Sequence, residues 1–368
     1  FLMLFLSYQY FFDSPSHSNF FGIPCEGHAV FLLNFSVLLV PGLLFCNYFH
    51  PGEYKRTFYF LIAAVIIINF LFTVRAVVVF PNALRARATA THLGFEGVLF
   101  GTPTYSIVYG MAICFPLFLE KLKQSRGKNR LIVLGLIVIL VFTILASQFA
   151  TATIAMFFGG FIYLVLASSS NKKVLYILLG SLLMVLFFFT DVGADLLYRL
   201  ASMVNQDGTW ASKLIDLGDS LSASEMTGSV AGRGSLYKES FAAFLNNPVL
   251  GNLSGNVYTI GGHATFFDIL GLTGLVGAIP FNLMIWFSYM NTKKGLKNKS
   301  LYSVLRACYA GFLIIFIFKN TISAFCIYAA IFLLVPFVLK YFDKEGCKQD
   351  ELIEEDCISA CDTDSGKI

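Results

Sequence analysis

Residues 232–277 read GRGSLYKESFAAFLNNPVLGNLSGNVYTIGGHATFFDILGLTGLVG. This stretch stands out because its polar residues and glycines lie between long apolar runs. Arg233 opens it and His263 closes its polar part, and an apolar segment begins directly after the histidine. The part between them predicts a helix that ends at Asn247-Pro248, followed by irregular, glycine-rich backbone. We therefore expect a polar segment that the rest of the chain holds at one face of a membrane.

The composition is that of a membrane protein. Of the 368 residues, 57% are hydrophobic and 13% are charged, whereas soluble domains carry about 25% charged residues. The net charge of +4 gives no indication of a nucleic-acid partner, because most Lys and Arg residues lie in short loops between apolar runs. The bilayer, rather than a globular core, therefore sets the architecture.

Apolar runs of about 20 residues, the length that crosses the hydrocarbon core, recur along the chain. They predict an all-α, polytopic bundle of about nine or ten transmembrane helices with one large, helical extracytoplasmic loop. The predicted organisation is N-terminal transmembrane helices at 1–190, the loop at 191–264, C-terminal transmembrane helices at 265–342 and a cytoplasmic, disordered tail at 343–368. The individual spans are the end of a helix at 1–12, then 29–49, 57–80, 103–119, 131–149, 151–167, 174–190, 265–290, 303–318 and 322–341.

Basic residues predict the orientation of these spans. Lys and Arg cluster in one alternating set of loops, those at 50–56, 120–130, 168–173 and 291–302. Because cytoplasmic loops of membrane proteins carry an excess of Lys and Arg, these loops and the tail are predicted to be cytoplasmic. The long loop then faces outward. The sequence begins at Phe1, inside an apolar run and without Met, so we expect a segment before it.

The long loop contains two hydrophobic patterns with helical spacing. One comprises Trp210, Leu214, Leu217 and Leu221, and the other covers Leu236 to Leu245. Both predict amphipathic helices that lie on the membrane surface or cap the bundle. The Trp210 pattern is expected to bury a helix face without chemistry, since most such patterns do.

The eight cysteines show no CxxC pair, and no His/Cys cluster has metal-ligand spacing. We therefore predict that the cysteines of the apolar runs and of the tail are unpaired. Neither a metal site nor a cofactor is expected.

Arg233 and His263 are the candidate catalytic residues. Arg233 lies between two glycines just before the second amphipathic pattern, and a planar guanidinium with several donors suits phosphate oxygens. His263 lies at the membrane boundary, where an imidazole can exchange a proton near neutral pH or hydrogen-bond an anion. Taken singly, each residue type is more often structural or solvated, so the argument for a site depends on their combination with the surrounding motifs.

That combination resembles the signature region of the O-antigen ligase and polymerase family, bacterial integral-membrane glycosyltransferases that act on lipid-linked polysaccharide. In the family, a Gly-Arg start leads to an Asn-Pro motif ending in glycine, and then to a His followed by an apolar span that bears G-x-x-G. Here Gly232-Arg233, Asn247 to Gly251, His263 and Gly274 to Gly277 match, with the glycine spacing retained. The resemblance is specific over residues 232–277 and topological elsewhere.

Some positions depart from the family pattern. Ala264 stands where an Asn commonly follows the His. Residues Asn252 to Gly255 match only loosely the second glycine that follows the family's Asn-Pro motif. The place of a family S-R-G motif reads Ser147-Gln148-Phe149, so an arginine expected there is absent. Arg85 and Arg87, in an outward loop, are candidates by location to take over its role in substrate binding.

Asp268 is a further candidate for substrate binding. It lies five residues after His263, near the outer interface, where an ionisable side chain is costly unless it is functional or paired. An interfacial aspartate that reaches toward water is an equally good interpretation.

The resemblance implies metal-independent transfer of a glycan from undecaprenyl diphosphate to an acceptor sugar hydroxyl, at the extracytoplasmic face of a bacterial inner or cytoplasmic membrane. Arg233 would stabilise charge on the departing diphosphate. His263 would act as a general base or as a positioner of the acceptor hydroxyl. The implied partners are the undecaprenyl-diphosphate-linked glycan donor, the acceptor glycan, membrane lipid, a chain-length regulator and a flippase.

The leading hypothesis is a polymerase that joins lipid-linked repeat units into O-antigen, capsule or exopolysaccharide. A ligase that transfers the glycan from the lipid carrier to an acceptor shares the signature and stays open. A transporter or flippase for lipid-linked glycan predicts polar residues at mid-bilayer depth and repeated halves, whereas the notable polar residues here cluster outside. A non-catalytic scaffold or sensor predicts no dependence on Arg233 or His263.

Overall fold

A computed structural model describes residues 19–20, 23–24, helical residues at 64, 67–68, 70–75 and 77–78, and residues 105–343 apart from 190, 204–208, 223–227, 255–259 and 322–324. Several predictions lie outside these residues. They are the spans at 1–12 and 29–49, part of the span at 57–80, the binding role of Arg85 and Arg87, and the tail after residue 343.

The described part of the chain is mainly helical, with one short antiparallel hairpin that pairs Asn19–Phe20 with Ile23–Pro24. A 3-10 turn at Gly251–Ser254 separates two of the helices. In chain order the helices are α1 (Tyr105–Gln124), α2 (Gly127–Ala146), α3 (Ala150–Ala167), α4 (Ser170–Phe189), α5 (Asp191–Met203), α6 (Thr209–Ser222), α7 (Gly228–Asn246), α8 (Thr265–Lys294), α9 (Leu301–Phe318) and α10, which begins at Phe325–Ala329, passes through a π-helical turn at Ala330–Leu334 and continues to residue 343.

Five of the described helices are long and apolar enough to cross a membrane. They are α2, α3, α8, α9 and the Cys326–Asp343 part of α10. The all-α, multi-pass membrane fold predicted from composition is therefore confirmed. The helices α1 and α8 continue past their predicted ends, to Gln124 and Lys294. Each has two lysines in its last turn, where positive charge is favourable at a helix C-terminus.

The loop predicted at 191–264 contains three described helices. The two amphipathic predictions correspond to α6 and α7. A third helix, α5, was not predicted, although Leu197 and its apolar neighbours bury one side of it. Tyr198 on α5 donates a hydrogen bond to Asp219 Oδ1 on α6 at 2.7 Å. Helix α7 begins at Gly228, so Arg233 lies inside this helix rather than before it.

Small residues set the close packing of α3 on α9. A Cβ on Gly159 would lie 3.2 Å from the carbonyl oxygen of Ala307, and one on Gly311 would lie 3.2 Å from that of Ala155. In lipid, helix association depends on such close backbone approach, because water does not drive apolar faces together there. These contacts form the centre of the bundle, which is buried around Cys308 and the neighbouring residues of α9.

Contacts at the two ends of the bundle show that α8, α9 and α10 alternate in direction. At one end, which we call the site end, the Thr265 N–H at the start of α8 donates to the carbonyl of Lys319 after α9, at 3.2 Å. At the opposite end, Asp343 of α10 accepts hydrogen bonds from the N–H groups of Lys297 and Asn298, at 3.0 Å and 2.7 Å. Consecutive helices therefore run in opposite directions, as the predicted topology requires.

Candidate functional site

A kink at Gly274 joins the Asn-Pro motif to α8. Gly274 has φ 56° and ψ −157°, a backbone conformation that essentially only glycine adopts. At the kink, two N–H groups of α8 donate to carbonyls outside the helix. The Leu275 N–H donates to the carbonyl of Pro248 at 2.9 Å, and the Val276 N–H donates to that of Val249 at 3.1 Å. These two bonds tie the loop at 248–249 to the G-x-x-G part of α8.

Glycines let the backbones of α7, the 3-10 turn and α8 come together. A Cβ on Gly271 would lie 2.6 Å from the carbonyl oxygen of Ser240 on α7. A Cβ on Gly251, which has φ +58°, would lie 2.7 Å from the Gly274 nitrogen. A Cβ on Gly261 would clash with the carbonyl of Leu236, on α7. The segment at 260–264 therefore packs directly against the helix that carries Arg233; we call this segment the His263 turn.

Arg233 presents its side chain to solvent from the first half of α7. Tyr237 follows one helical turn later and is half-buried. Burial raises the pKa of Tyr237, with the positive charge of Arg233 opposing this shift and the negative charge of Asp268 adding to it. Both charged groups therefore lie within electrostatic reach of the Tyr237 hydroxyl.

Tyr237 also connects α7 to the neighbouring helices. Its hydroxyl donates to the carbonyl of Phe318, the last residue of α9, at 3.3 Å. Its ring stacks on Phe267 of α8, with the ring centroids 5.7 Å apart. These contacts hold the Arg233 side of α7 at the site end of the bundle.

His263 is exposed on the turn that leads into α8. Its Nδ1 donates to the carbonyl of Gly262 at 3.0 Å, since a carbonyl oxygen can only accept. In the tautomer that makes this bond, Nδ1 carries the proton and Nε2 is left to accept a hydrogen bond. The same carbonyl accepts a hydrogen bond from Asn320 Nδ2 at 2.8 Å. The peptide unit before His263 is thus held from a second segment of the chain.

Asp268 lies under the His263 turn, with a side chain that is 1% exposed. Its Oδ1 accepts from Ser240 Oγ at 2.7 Å and from the Gly262 N–H at 3.2 Å. Its Oδ2 accepts from the Ala264 N–H at 3.0 Å. We predicted a carboxylate that binds substrate or reaches toward water, but the structure buries it among donors of the protein itself.

A second buried network holds the start of α8. Thr265 Oγ1 donates to the carbonyl of Lys319 at 3.0 Å and accepts from the Thr321 N–H at 2.6 Å. Thr265 Oγ1 also lies 2.8 Å from Thr321 Oγ1, which in turn lies 2.9 Å from the Tyr328 hydroxyl. This network reaches α10, and its hydrogen bonds do not involve the side chain of His263.

The structure brings together Arg233, His263 and Asp268, three of the five residues predicted to form the site. Arg85 and Arg87 lie outside the described residues. Sequence reasoning assigned no role in the site to Ser240 or to Asn320. A serine on the buried side of an amphipathic helix was a usable signal for Ser240. No local pattern identifies Asn320, which lies 58 residues from its partner Gly262.

The geometry combines an exposed guanidinium with an exposed imidazole whose Nε2 is available as an acceptor. The guanidinium is suited to phosphate oxygens, and the imidazole is suited to taking a proton from a hydroxyl. No protein-family model matches this chain, and no curated protein shows significant similarity to it.

Proposed function

We propose that this protein is a membrane glycosyltransferase that polymerises glycan repeat units carried on undecaprenyl diphosphate. The observation that carries the proposal is the exposure of Arg233 and His263 on two segments that pack directly on each other. The resemblance of residues 232–277 to the O-antigen ligase and polymerase family supports the same reaction.

In the proposed reaction, the acceptor hydroxyl oxygen attacks the anomeric carbon of the donor glycan. A new glycosidic C–O bond forms, and the C–O bond to the diphosphate breaks. The diphosphate leaves with the electron pair, and Arg233 stabilises its growing negative charge. His263 Nε2 either takes the hydroxyl proton, or accepts its hydrogen bond to position the hydroxyl while the proton passes to the departing diphosphate. Because the diphosphate is already a good leaving group, both roles are compatible with this chemistry.

The position of buried charge favours a transferase over a transporter. In the part of the chain that the structure describes, the buried carboxylates belong to Glu120, Asp268 and Asp343. Each lies within two turns of an end of its helix, and each accepts hydrogen bonds from the protein. A transporter for a lipid-linked glycan would be expected to place such groups near the bilayer midplane.

We place the reaction at the extracytoplasmic face of a bacterial inner or cytoplasmic membrane. The positive-inside rule supports this orientation, since the basic loops alternate with the segment that bears the site. The donor then arrives on a lipid carrier after a flippase has moved it across the membrane. A chain-length regulator is a further expected partner.

The test uses a host that lacks this protein, with surface glycans separated by length on a gel. For a polymerase, we expect single capped units in the deletion strain and long chains on complementation. Long chains stranded on the lipid carrier would instead indicate a ligase. An unchanged glycan profile in the deletion strain would contradict both.

Point variants at equal protein level then test the site. We expect Arg233→Ala to lower transfer by about 100-fold or more, the effect of removing one group that stabilises transition-state charge. His263→Ala is expected to shorten the glycan chains, which appear as a ladder on the gel. Lys238→Ala removes an exposed cation from the same helix and is expected to leave the ladder unchanged. Normal ladders from both site variants would contradict the catalytic assignment.

A further inference from the structure

We propose that Asp268 and Ser240 together form a positioning pair that fixes the His263 imidazole relative to Arg233. The inference rests on the proposed function, adds Ser240 to its site and assigns Asp268 a positioning role there. Neither side chain contacts substrate in this account, since Ser240 is 0% exposed and Asp268 is 1% exposed. Both act through the backbone of the His263 turn.

The carboxylate of Asp268 holds the peptide groups on both sides of His263. Oδ1 accepts from the N–H of Gly262, before the histidine, at 3.2 Å, and Oδ2 accepts from the N–H of Ala264, after it, at 3.0 Å. The imidazole therefore projects from a short loop whose two ends are fixed to one rigid group. Asp268 lies in the first turn of α8. The position of that helix therefore determines the position of the His263 turn.

Ser240 connects this arrangement to α7. Its hydroxyl donates to Asp268 Oδ1 at 2.7 Å and accepts from the Gly261 N–H at 2.9 Å. Ser240 lies two helical turns after Arg233 on the same helix. The pair therefore links the helix that carries the guanidinium to the turn that carries the imidazole, and sets the separation between them.

The arrangement needs a carboxylate rather than any polar group. A buried charge is expensive unless donors surround it, and here Ser240 and two backbone N–H groups supply them. An asparagine of the same size would keep one acceptor oxygen but would turn an NH₂ group toward a backbone N–H. Two donors would then face each other, and one end of the turn would be released.

A double-mutant cycle on the full-length protein in lipid nanodiscs tests the inference. The variants are Asp268→Asn, Ser240→Ala, His263→Ala and the combination of Asp268→Asn with His263→Ala. Initial rates are measured against the concentration of a labelled lipid-diphosphate-linked glycan. Amide exchange of the peptide covering residues 260–264 is followed in the same samples. Thr321→Val is the matched control, because it removes a buried hydroxyl from the neighbouring network without touching the His263 turn.

We expect Asp268→Asn and Ser240→Ala to lower kcat by about 10- to 100-fold, the size of loss that follows small misplacement of a catalytic group. The KM for the donor should change little, and amide exchange should accelerate at 260–264. In the His263→Ala background, Asp268→Asn should cost little further activity, because groups that act as a unit are non-additive. Thr321→Val should lower thermal stability and leave kcat near that of the wild type.

Three results would overturn the inference while the wild type is active. They are an unchanged kcat in Asp268→Asn, an equal loss of rate with and without His263, and a kcat loss in Thr321→Val as large as that in Asp268→Asn. If the wild-type protein transfers no glycan to any acceptor, the proposed function fails instead, and the positioning role fails with it.

Discussion

Replacing Gly274 by alanine tests the role of the α8 kink. The backbone at Gly274 has φ 56° and ψ −157°, and holding an alanine in such a conformation costs about 1–3 kcal/mol. The new Cβ would also clash with the carbonyl of Val249 and lie 2.7 Å from the nitrogen of Leu250. These neighbours are backbone atoms that cannot rotate away, and overpacking of this kind costs about 1–3 kcal/mol.

Relief of this strain would require the kink to straighten. The N–H groups of Leu275 and Val276 would then lose their bonds to residues 248 and 249, each worth about 0.5–1.5 kcal/mol. The strained kink costs about 2–6 kcal/mol and the straightened one about 1–3 kcal/mol, so the cheaper route sets an expected destabilisation of about 1–3 kcal/mol. We therefore expect the junction between α7 and α8, and the His263 turn beside it, to loosen together.

The protein is fused to a fluorescent protein, heated in detergent and passed through a column. The apparent melting temperature is the temperature at which half of the fluorescence no longer elutes as a single peak. We expect Gly274→Ala to melt about 2–6 °C below the wild type. Gly232→Ala is the matched control from the same motif region. Its Cβ would meet no atom of the described residues within 4 Å, and alanine in a helix is favoured over glycine by about 0.5–1 kcal/mol. A Gly274→Ala protein that melts with the wild type, or a Gly232→Ala protein that melts well below it, would refute the reasoning.

Three further substitutions test contacts in the rest of the fold. Asp343→Ala removes the acceptor for two N–H groups of the α8–α9 turn, and we expect a loss of about 1–3 kcal/mol, measured as a lower melting temperature. Tyr163→Phe removes the hydroxyl that donates to the buried Glu120 at 2.7 Å, with an expected loss of similar size; Tyr302→Phe, whose hydroxyl bond is 3.5 Å long, should lose much less. Burial raises the pKa of Tyr237, so its contribution to stability is complete below the pKa of a free tyrosine and is lost as pH rises through the higher folded value. Tyr237→Phe should therefore show a smaller loss of melting temperature than the wild type between neutral and strongly alkaline pH, and an equal loss would contradict the burial argument.

Local patterns in the sequence were sufficient to predict most of the helices. Asn247-Pro248 correctly marked the end of α7, because proline and the residue before it disfavour helix. The helix start was harder to predict. The amphipathic pattern begins only at Leu236, after Gly232 and Gly234, yet α7 begins at Gly228, since glycine lowers helix propensity without excluding helix.

For the candidate site, the sequence predicted individual residues but not their arrangement. Position in the chain identified Arg233, His263 and Asp268. The burial of Asp268 depends on Ser240, 28 residues earlier, and on a turn whose path no periodic pattern describes. The contact between Asn320 and Gly262 joins residues that are even further apart in the chain, by 58 residues. Such features depend on how separate helices pack, which hydrophobic spacing alone does not define.

The hydrogen bond from Asn320 to the Gly262 carbonyl has a consequence for biosynthesis. A chain emerges from the ribosome N-terminus first, and Asn320 follows Gly262 by 58 residues. Between them lie α8 and α9, so the His263 turn receives its last partners only after both helices have been made and the chain has returned to the site end. A nascent or truncated protein that stops within α9 carries Arg233, His263 and Asp268 without this support. The support that Asn320 gives to the His263 turn can therefore form only when nearly all of the described chain has been made.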